Sequence, residues 1–184
     1  MIQKLFKNTC VAFTVLGISF AASAQISGVD KASFDFENGS PENWTQSKGF
    51  ETSTEQVASG KKSMKVTFKS YDNIGAGPKL QSFRGKKVSP GFFNLKAGTY
   101  EVSAKVFLEG EVPGFLQISL SGDPKVNSKF KRLDKLPQKS WQTLTSTFTI
   151  DKDSHKNWLS IGFFVFPKSG SGTVYVDDLN IVKK

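Results

Sequence analysis

The sequence predicts an all-β protein, a single jelly-roll β-sandwich of about eight to ten antiparallel strands. Apolar and polar residues alternate with period two in several stretches, and residues typical of turns separate these stretches. No stretch of ten or more residues shows a clear helical period of 3.6. Of the 184 residues, 12% are aromatic and 17 are Phe, which provides large side chains for the interior of a sandwich.

The first 24 residues are predicted to be a secretory signal peptide. Lys4 and Lys7 precede an apolar stretch at 11–21, and Ala22-Ser23-Ala24 provides a small-residue cleavage site. The apolar stretch is too short to span a bilayer comfortably, so no membrane span is expected. We therefore expect a secreted or periplasmic protein, with one β-sandwich domain at 25–184.

The strands follow from the alternation, in chain order. The first strand places Phe34 and Phe36 on one face and Asp35 and Glu37 on the other. The stretches that follow show the same period two and lie at 64–69, 100–109, 115–120, 143–150 and 158–166. A last strand carries Asp177 and Asp178. Between them lie turn signals such as Asn38-Gly39, Ser59-Gly60, Ala97-Gly98 and Pro113-Gly114.

The composition excludes several kinds of catalytic site. The chain has one Cys and one His, so a Cys/His zinc cluster cannot be built. The single Cys, Cys10, lies in the predicted signal peptide, and a secreted domain without disulfides is more typical of bacteria than of animals. No phosphate-binding loop, metalloprotease motif or nucleophile elbow is present, so we expect no enzyme. A nucleic-acid partner is not expected, because no nucleic-acid-binding motif is present.

Four fragments in chain order resemble the galactose-binding-like jelly-roll domains, especially carbohydrate-binding modules of the family four, nine and twenty-two type. They are FDFENG at 34–39 followed by Trp44, ASGKKSMKV at 58–66, LKAGTYEVSA at 95–104 and GTVYVDDLNI at 172–181. The resemblance covers the chain from about residue 32 to residue 182. It implies a non-catalytic module that binds a polysaccharide or another glycan.

The resemblance also implies that the first and last strands pair and that a structural Ca²⁺ bridges them. Ca²⁺ takes six to eight hard oxygen ligands. The matched positions make Glu37 and Asp177 the expected ligands, followed by Asp35 and the backbone carbonyl of Lys61 near the Ser59-Gly60 turn. In the alternative interpretation, Asp35 and Asp178 are solvated strand residues and Glu37 begins the Asn38-Gly39 turn.

Aromatic residues that alternate out of phase with the core are the candidates for a ligand surface, because sugars stack on aromatic faces. By alternation these are Phe107, Phe115, Trp158, Phe164 and Phe166. Lys105 and Gln117 are their polar neighbours. In the alternative interpretation, bulges or covering loops return these aromatics to the interior.

Lys and Arg outnumber Asp and Glu by 25 to 16, a formal net charge of +9. Bases cluster at 84–87 and at 125–139. A basic secreted domain favours an acidic polysaccharide as ligand. The sequence therefore predicts a secreted carbohydrate-binding module, and the alternative is a surface adhesion or structural β-sandwich that binds protein. It leaves the identity of the sugar and the oligomeric state open.

Overall fold

A computed structural model describes residues 31–37, 45–46, 50–69, 75–81, 94–111, 114–123, 125–126, 131–165 and 171–184. The predicted signal peptide, Trp44, Arg84 and Phe166 lie outside these residues. Within the described ranges the regular structure is β-strand, apart from one 3₁₀ turn at Leu133–Lys135. None of the described helical structure is long and apolar enough to cross a membrane.

In the described ranges, eleven strands form two antiparallel sheets, which confirms the predicted jelly-roll sandwich with slightly more strands than the expected eight to ten. The strands are β1 Lys31–Phe34, β2 Thr45–Gln46, β3 Phe50–Ser53, β4 Ser63–Phe68, β5 Gly75–Gln81, β6 Gly98–Gly110, β7 Phe115–Asp123, β8 Lys131–Arg132, β9 Gln142–Ile150, β10 His155–Val165 and β11 Gly172–Lys183. The six-stranded sheet has the order β3-β4-β11-β6-β9, with β1 also paired to β11. The five-stranded sheet has the order β2-β5-β10-β7-β8.

Strand β11 pairs with two strands in turn along one of its edges. Its first half pairs with β4, up to Val176 opposite Met64, and its second half pairs with β1, from Leu179 opposite Phe34. This confirms that the first and last strands pair. The register of β11 against β6 shifts between Asp177 and Asn180, and Asp178 has a positive φ of 46°. The two acidic residues therefore lie at an irregular step where β11 changes partner.

The core fills the space between the sheets with the inward-facing residues of the alternating stretches. Phe163 of β10 is 2% exposed and lies against Phe68 and Phe50, with ring centroids 5.1 Å and 6.0 Å away. Phe68 and Phe50 belong to the opposite sheet, so this aromatic group joins the two layers. Phe148 and Tyr100 are also buried, as the alternation predicts.

The predicted first strand ends earlier than the alternation indicates. Strand β1 stops at Phe34, and Phe36 has a positive φ of 61°, which breaks the extended backbone. Phe36 is nevertheless 1% exposed and belongs to the core, while Asp35 is exposed. The prediction that Asp35 and Glu37 share one strand face is therefore wrong, because the chain turns after Phe34.

Candidate functional site

The outer face of the five-stranded sheet holds most of the described candidate ligand residues. Antiparallel pairing of β7 with β10 sets Phe115 opposite Phe164, Gln117 opposite Gly162, and Ser121 opposite Trp158. Directly paired residues project to the same face of a sheet. The side chains of Phe115, Gln117 and Trp158 alternate with fully buried core residues and are each half-buried. They therefore lie on the outer face.

Two aromatic residues lie at opposite ends of this strand pair. Phe115 lies six positions along β7 from Ser121, the partner of Trp158, which is roughly 20 Å at the rise of an extended strand. The positions between them include Gln117, Ser119 and Gly162, which provide an amide, a hydroxyl and a backbone without a side chain. This arrangement forms an elongated polar surface with an aromatic side chain at each end.

Arg132 was not among the predicted site residues, and it lies beside Phe115. Strand β8 sets Arg132 opposite Phe115, and the guanidinium carbon lies 5.4 Å from the centre of the Phe115 ring. Arg132 donates from Nε and Nη2 to the two carboxylate oxygens of Asp134, at 2.9 Å and 2.6 Å. This bidentate pair lowers the pKa of Asp134 and holds the guanidinium plane in place. The sequence showed only a Lys- and Arg-rich stretch here, because the stacking depends on pairing between β7 and β8.

The structure places Phe107 and Lys105 on the other sheet, and the prediction of an exposed Phe107 is wrong. Phe107 does face away from the core, but it is only 8% exposed. Its ring lies 5.6 Å from that of Trp141 and 6.0 Å from that of Tyr175. Lys105 forms an ion pair with Asp178 at 2.8 Å. Neither residue can therefore join Phe115 and Trp158 in one site.

The connection between β3 and β4, residues 54–62, explains part of this burial. The Tyr175 hydroxyl donates to Glu55 Oε2 at 2.6 Å, and Gln56 Nε2 donates to Glu109 Oε1 at 3.2 Å. These bonds hold the connection against the outer face of the six-stranded sheet, beside Phe107. Burial and the neighbouring carboxylates raise the pKa of Tyr175.

Of the two other predicted aromatics, the structure describes only the backbone of Phe164. The backbone of Phe164 belongs to β10 and pairs with Phe115 and with Ala76 of β5. Phe166 lies outside the described residues. Both stay predictions as ligand residues.

The predicted calcium ligand Asp177 is a fully buried carboxylate at the irregular step of β11. It is 0% exposed, and its Oδ2 accepts hydrogen bonds from the backbone N–H groups of Ala58 at 2.9 Å and Ser59 at 3.2 Å. Its Oδ1 accepts from the N–H of Asp178 at 2.8 Å. Burial raises the pKa of Asp177, although these N–H groups act in the opposite direction.

Glu37, the other expected principal ligand, reaches the same turn from the end of β1. Its Oε1 accepts from the backbone N–H groups of Lys61 at 2.7 Å and Lys62 at 3.0 Å, and these bonds lower its pKa. Gly60 has a positive φ of 69°, and a Cβ there would collide with the Glu37 carboxylate. Carboxylates from both chain ends therefore anchor the turn at 58–62.

Asp35 is the third carboxylate predicted to bind calcium. Asp35 is exposed, and its Oδ1 accepts from the N–H of Glu37 at 3.2 Å. Across the ranges that the structure describes, no three Asp, Glu, His or Cys side chains come together as a metal-binding group. Two carboxylates supply only part of the six to eight oxygen ligands that Ca²⁺ takes, so a calcium ion held by Glu37 and Asp177 would need the others from backbone carbonyl groups and water.

Comparison with known proteins rests on structure alone, because no family model and no curated protein matches the sequence. The fold is similar to the CBM22-1 xylan-binding domain from Paenibacillus barcinonensis Xyn10C, at 17% identity and a TM-score of 0.53, covering 85% of this chain and 96% of that one. It is also similar to CBM27-1 of Caldicellulosiruptor saccharolyticus, solved with mannohexaose, at 16% identity and a TM-score of 0.58, covering 85% and 99%.

A third structure belongs to the carbohydrate-binding modules of the β-sandwich superfamily. It has 18% identity and a TM-score of 0.59, and the match covers 85% of this chain and 63% of that one. Similarity at these identities establishes the fold and leaves the ligand to other arguments. The protein has the jelly-roll β-sandwich fold shared by carbohydrate-binding modules.

Proposed function

We propose that the protein is a secreted, non-catalytic carbohydrate-binding module that binds a glycan on the outer face of its five-stranded sheet. The observation that carries the proposal is the pair of half-buried aromatics, Phe115 and Trp158, at opposite ends of β7 and β10. The fold agrees, since the similar structures include a xylan-binding domain and a module in complex with mannohexaose. Secretion rests on the signal-peptide features of residues 1–24.

The binding mechanism follows from the side chains on this face. The rings of Phe115 and Trp158 would stack against the C–H faces of pyranose units at the two ends of a bound segment. Gln117 and Ser119 would form hydrogen bonds with sugar hydroxyls between them. Since the two strands already hold these groups in place, binding would cost little conformational entropy. Such a mechanism requires no covalent chemistry.

An acidic polysaccharide is the ligand class that we propose. Lys125 and Lys135 are exposed near β7 and β8, and the chain carries a formal charge of +9, of which Lys4 and Lys7 of the predicted signal peptide contribute 2. Arg132 is already paired with Asp134, so the lysines would supply most of the attraction to carboxylate or sulfate groups. Such attraction between exposed charges weakens as salt screens it.

Replacement of Trp158 by Ala is expected to lower glycan affinity at least about tenfold, since loss of one stacking contact of about 1.4 kcal/mol has that effect. Phe115→Ala is expected to act in the same direction. Trp141→Ala is the matched control, because Trp141 is also a half-buried indole but packs on Phe107 of the other sheet. Affinities should be measured by titration calorimetry with the best ligand from a glycan array.

The array should include neutral and acidic polysaccharides at two salt concentrations. We expect acidic polysaccharides to bind more tightly than neutral ones and their binding to weaken with salt. Binding that does not change with salt would refute the preference for acidic polysaccharides but not the proposed glycan-binding face. Equal losses in Trp158→Ala and Trp141→Ala would refute the proposed face. If no glycan binds, the protein-binding adhesion alternative replaces the proposal, and release of soluble products would indicate an enzyme.

We further propose a structural Ca²⁺ held by the Glu37 and Asp177 carboxylates, where both chain ends meet the turn at 58–62. Bound there, the ion would supply positive charge to a buried carboxylate and tie the two ends together. Removal of calcium is expected to lower the melting temperature by several degrees, and calcium but not magnesium should restore it. Identical melting temperatures after metal analysis confirms removal would contradict the proposal.

A further inference from the structure

Strand β9 differs from the other strands at the sheet edges. Within the described sheets the edge strands β2 and β8 have two residues each and β1 and β3 have four each, whereas β9 has nine. Among the strands that the structure describes, β9 pairs with β6 alone. A long edge strand presents a row of backbone donors and acceptors to which another strand can be added.

Strand β9 also lacks the features that usually prevent such an addition. Gln142–Ile150 contains no charged residue, no Pro and no Gly. Its nine residues pair with β6 in one continuous register without a bulge. Charged residues, Pro, bulges and short length are among the devices that protect natural edges, and within its nine residues β9 has none of these four.

The order of residues along β9 is symmetric about Ser146. On both sides of Ser146 the chain reads Thr, a large apolar residue, then Thr, which gives Thr-Leu-Thr-Ser-Thr-Phe-Thr at 143–149. The four Thr side chains are exposed, and Leu144 and Phe148 are buried. A second copy of the strand, antiparallel and centred on Ser146, would set Thr opposite Thr outside and Leu144 opposite Phe148 inside.

We propose that two copies of this chain associate through β9 about a two-fold axis at Ser146, forming one continuous sheet across the dimer. An isologous interface requires a surface that is complementary to itself, and the symmetric order of β9 satisfies that requirement. Thr–Thr cross-strand pairs are favourable, and an uncharged strand avoids opposing like charges where two basic chains meet. Addition of a strand from an unrelated protein would not require β9 to be symmetric, so the symmetry favours a second copy of this chain.

Strand β9 does not overlap the proposed glycan site. Strand β9 belongs to the six-stranded sheet, whereas Phe115 and Trp158 lie on the five-stranded sheet. A dimer through β9 therefore leaves both glycan faces accessible, and it would give two binding faces per particle.

Sedimentation velocity on the wild-type protein at tens of micromolar should show a dimer. The double variant Thr145→Lys/Thr147→Lys should be monomeric, because residue 145 of one copy lies opposite residue 147 of the other and two like-charge pairs would form. Thr54→Lys/Thr67→Lys is the matched control, since it adds the same charge at exposed positions away from β9 and should remain dimeric. Circular dichroism should confirm that both double variants are folded.

The register can be tested separately with Ser146→Cys. Directly opposed residues of an antiparallel pair have Cα atoms about 4.5–5.5 Å apart, within the range of a disulfide. This variant should form a covalent dimer under oxidation at least about tenfold faster than Thr67→Cys, with the wild type as the background control for any protein that retains Cys10 of the predicted signal peptide. A monomeric wild type overturns the proposal, and so does a dimer that survives the two lysines or that fails to cross-link in the Ser146→Cys variant.

Discussion

Replacement of Phe163 by Ala is expected to lower the free energy of unfolding by about 3–5 kcal/mol, the usual cost of removing a buried ring. Phe163 is 2% exposed and contacts Phe68 and Phe50 of the opposite sheet, so the substitution leaves a cavity between the two layers. Neighbouring strands hydrogen-bonded on both sides of β10 limit how far the backbone can collapse into that cavity. Urea unfolding followed by fluorescence and circular dichroism would measure the loss.

Phe115→Ala is the matched control for this prediction. It removes the same atoms from the neighbouring strand β7, but its side chain is half-buried on the outer face. We expect it to cost less than about 1.5 kcal/mol of stability while it weakens glycan binding. If both variants lost equal stability, Phe115 would belong to the core and the distinction between the two faces of β7 and β10 would be wrong. Phe163→Leu provides a folded variant if Phe163→Ala does not fold.

Replacement of Asp177 by Ala is expected to lower the free energy of unfolding by about 2–4 kcal/mol. The carboxylate accepts backbone hydrogen bonds from Ala58, Ser59 and Asp178, and the substitution leaves all three donors without their acceptor. Burial opposes the charged form of Asp177, so the net loss is smaller than three strong hydrogen bonds would indicate. Chemical denaturation at neutral pH would measure the change.

Asp35→Ala is the control, because Asp35 is exposed and accepts a hydrogen bond from the next-but-one residue, Glu37. This substitution should lower the free energy of unfolding by less than about 1 kcal/mol. The stability loss of Asp177→Asn should lie between those of Asp177→Ala and Asp35→Ala. The Asn amide keeps one acceptor oxygen, but its NH₂ group would face a backbone N–H donor. If Asp177→Ala and Asp35→Ala have equal cost, Asp177 does not anchor the turn at 58–62.

Much of the fold could be predicted from alternation alone. Phe68, Phe148 and Phe163 are in phase with the neighbouring apolar residues of their strands, and all three are buried. A strand with one face toward a core must place every second residue inside, so the period of the sequence carries this information directly. The pairing of the first and last strands also followed, although from the resemblance of residues 34–39 and 172–181 to known domains.

The candidate site could be predicted only in part. Alternation correctly placed Phe107 on the outer side of β6, but the indole of Trp141 and the ring of Tyr175 lie against it there. These contacts join residues that are far apart in the chain, and no local pattern reports them. The position of Arg132 could not be predicted for a similar reason, because its place beside Phe115 depends on the pairing of β8 with β7.

The chain's 17 Phe residues and its period-two stretches were enough to predict a sandwich and to tell the inward positions of each strand from the outward ones. Alternation is a property of one strand, so it says nothing about which sheet that strand joins. Long-range pairing decided that Phe115 and Trp158 share a surface and that Lys105 and Phe107 lie on the opposite one. The same pairing placed β9 at an edge of the six-stranded sheet, where its symmetric residue order allows the pairing with a second copy that we propose.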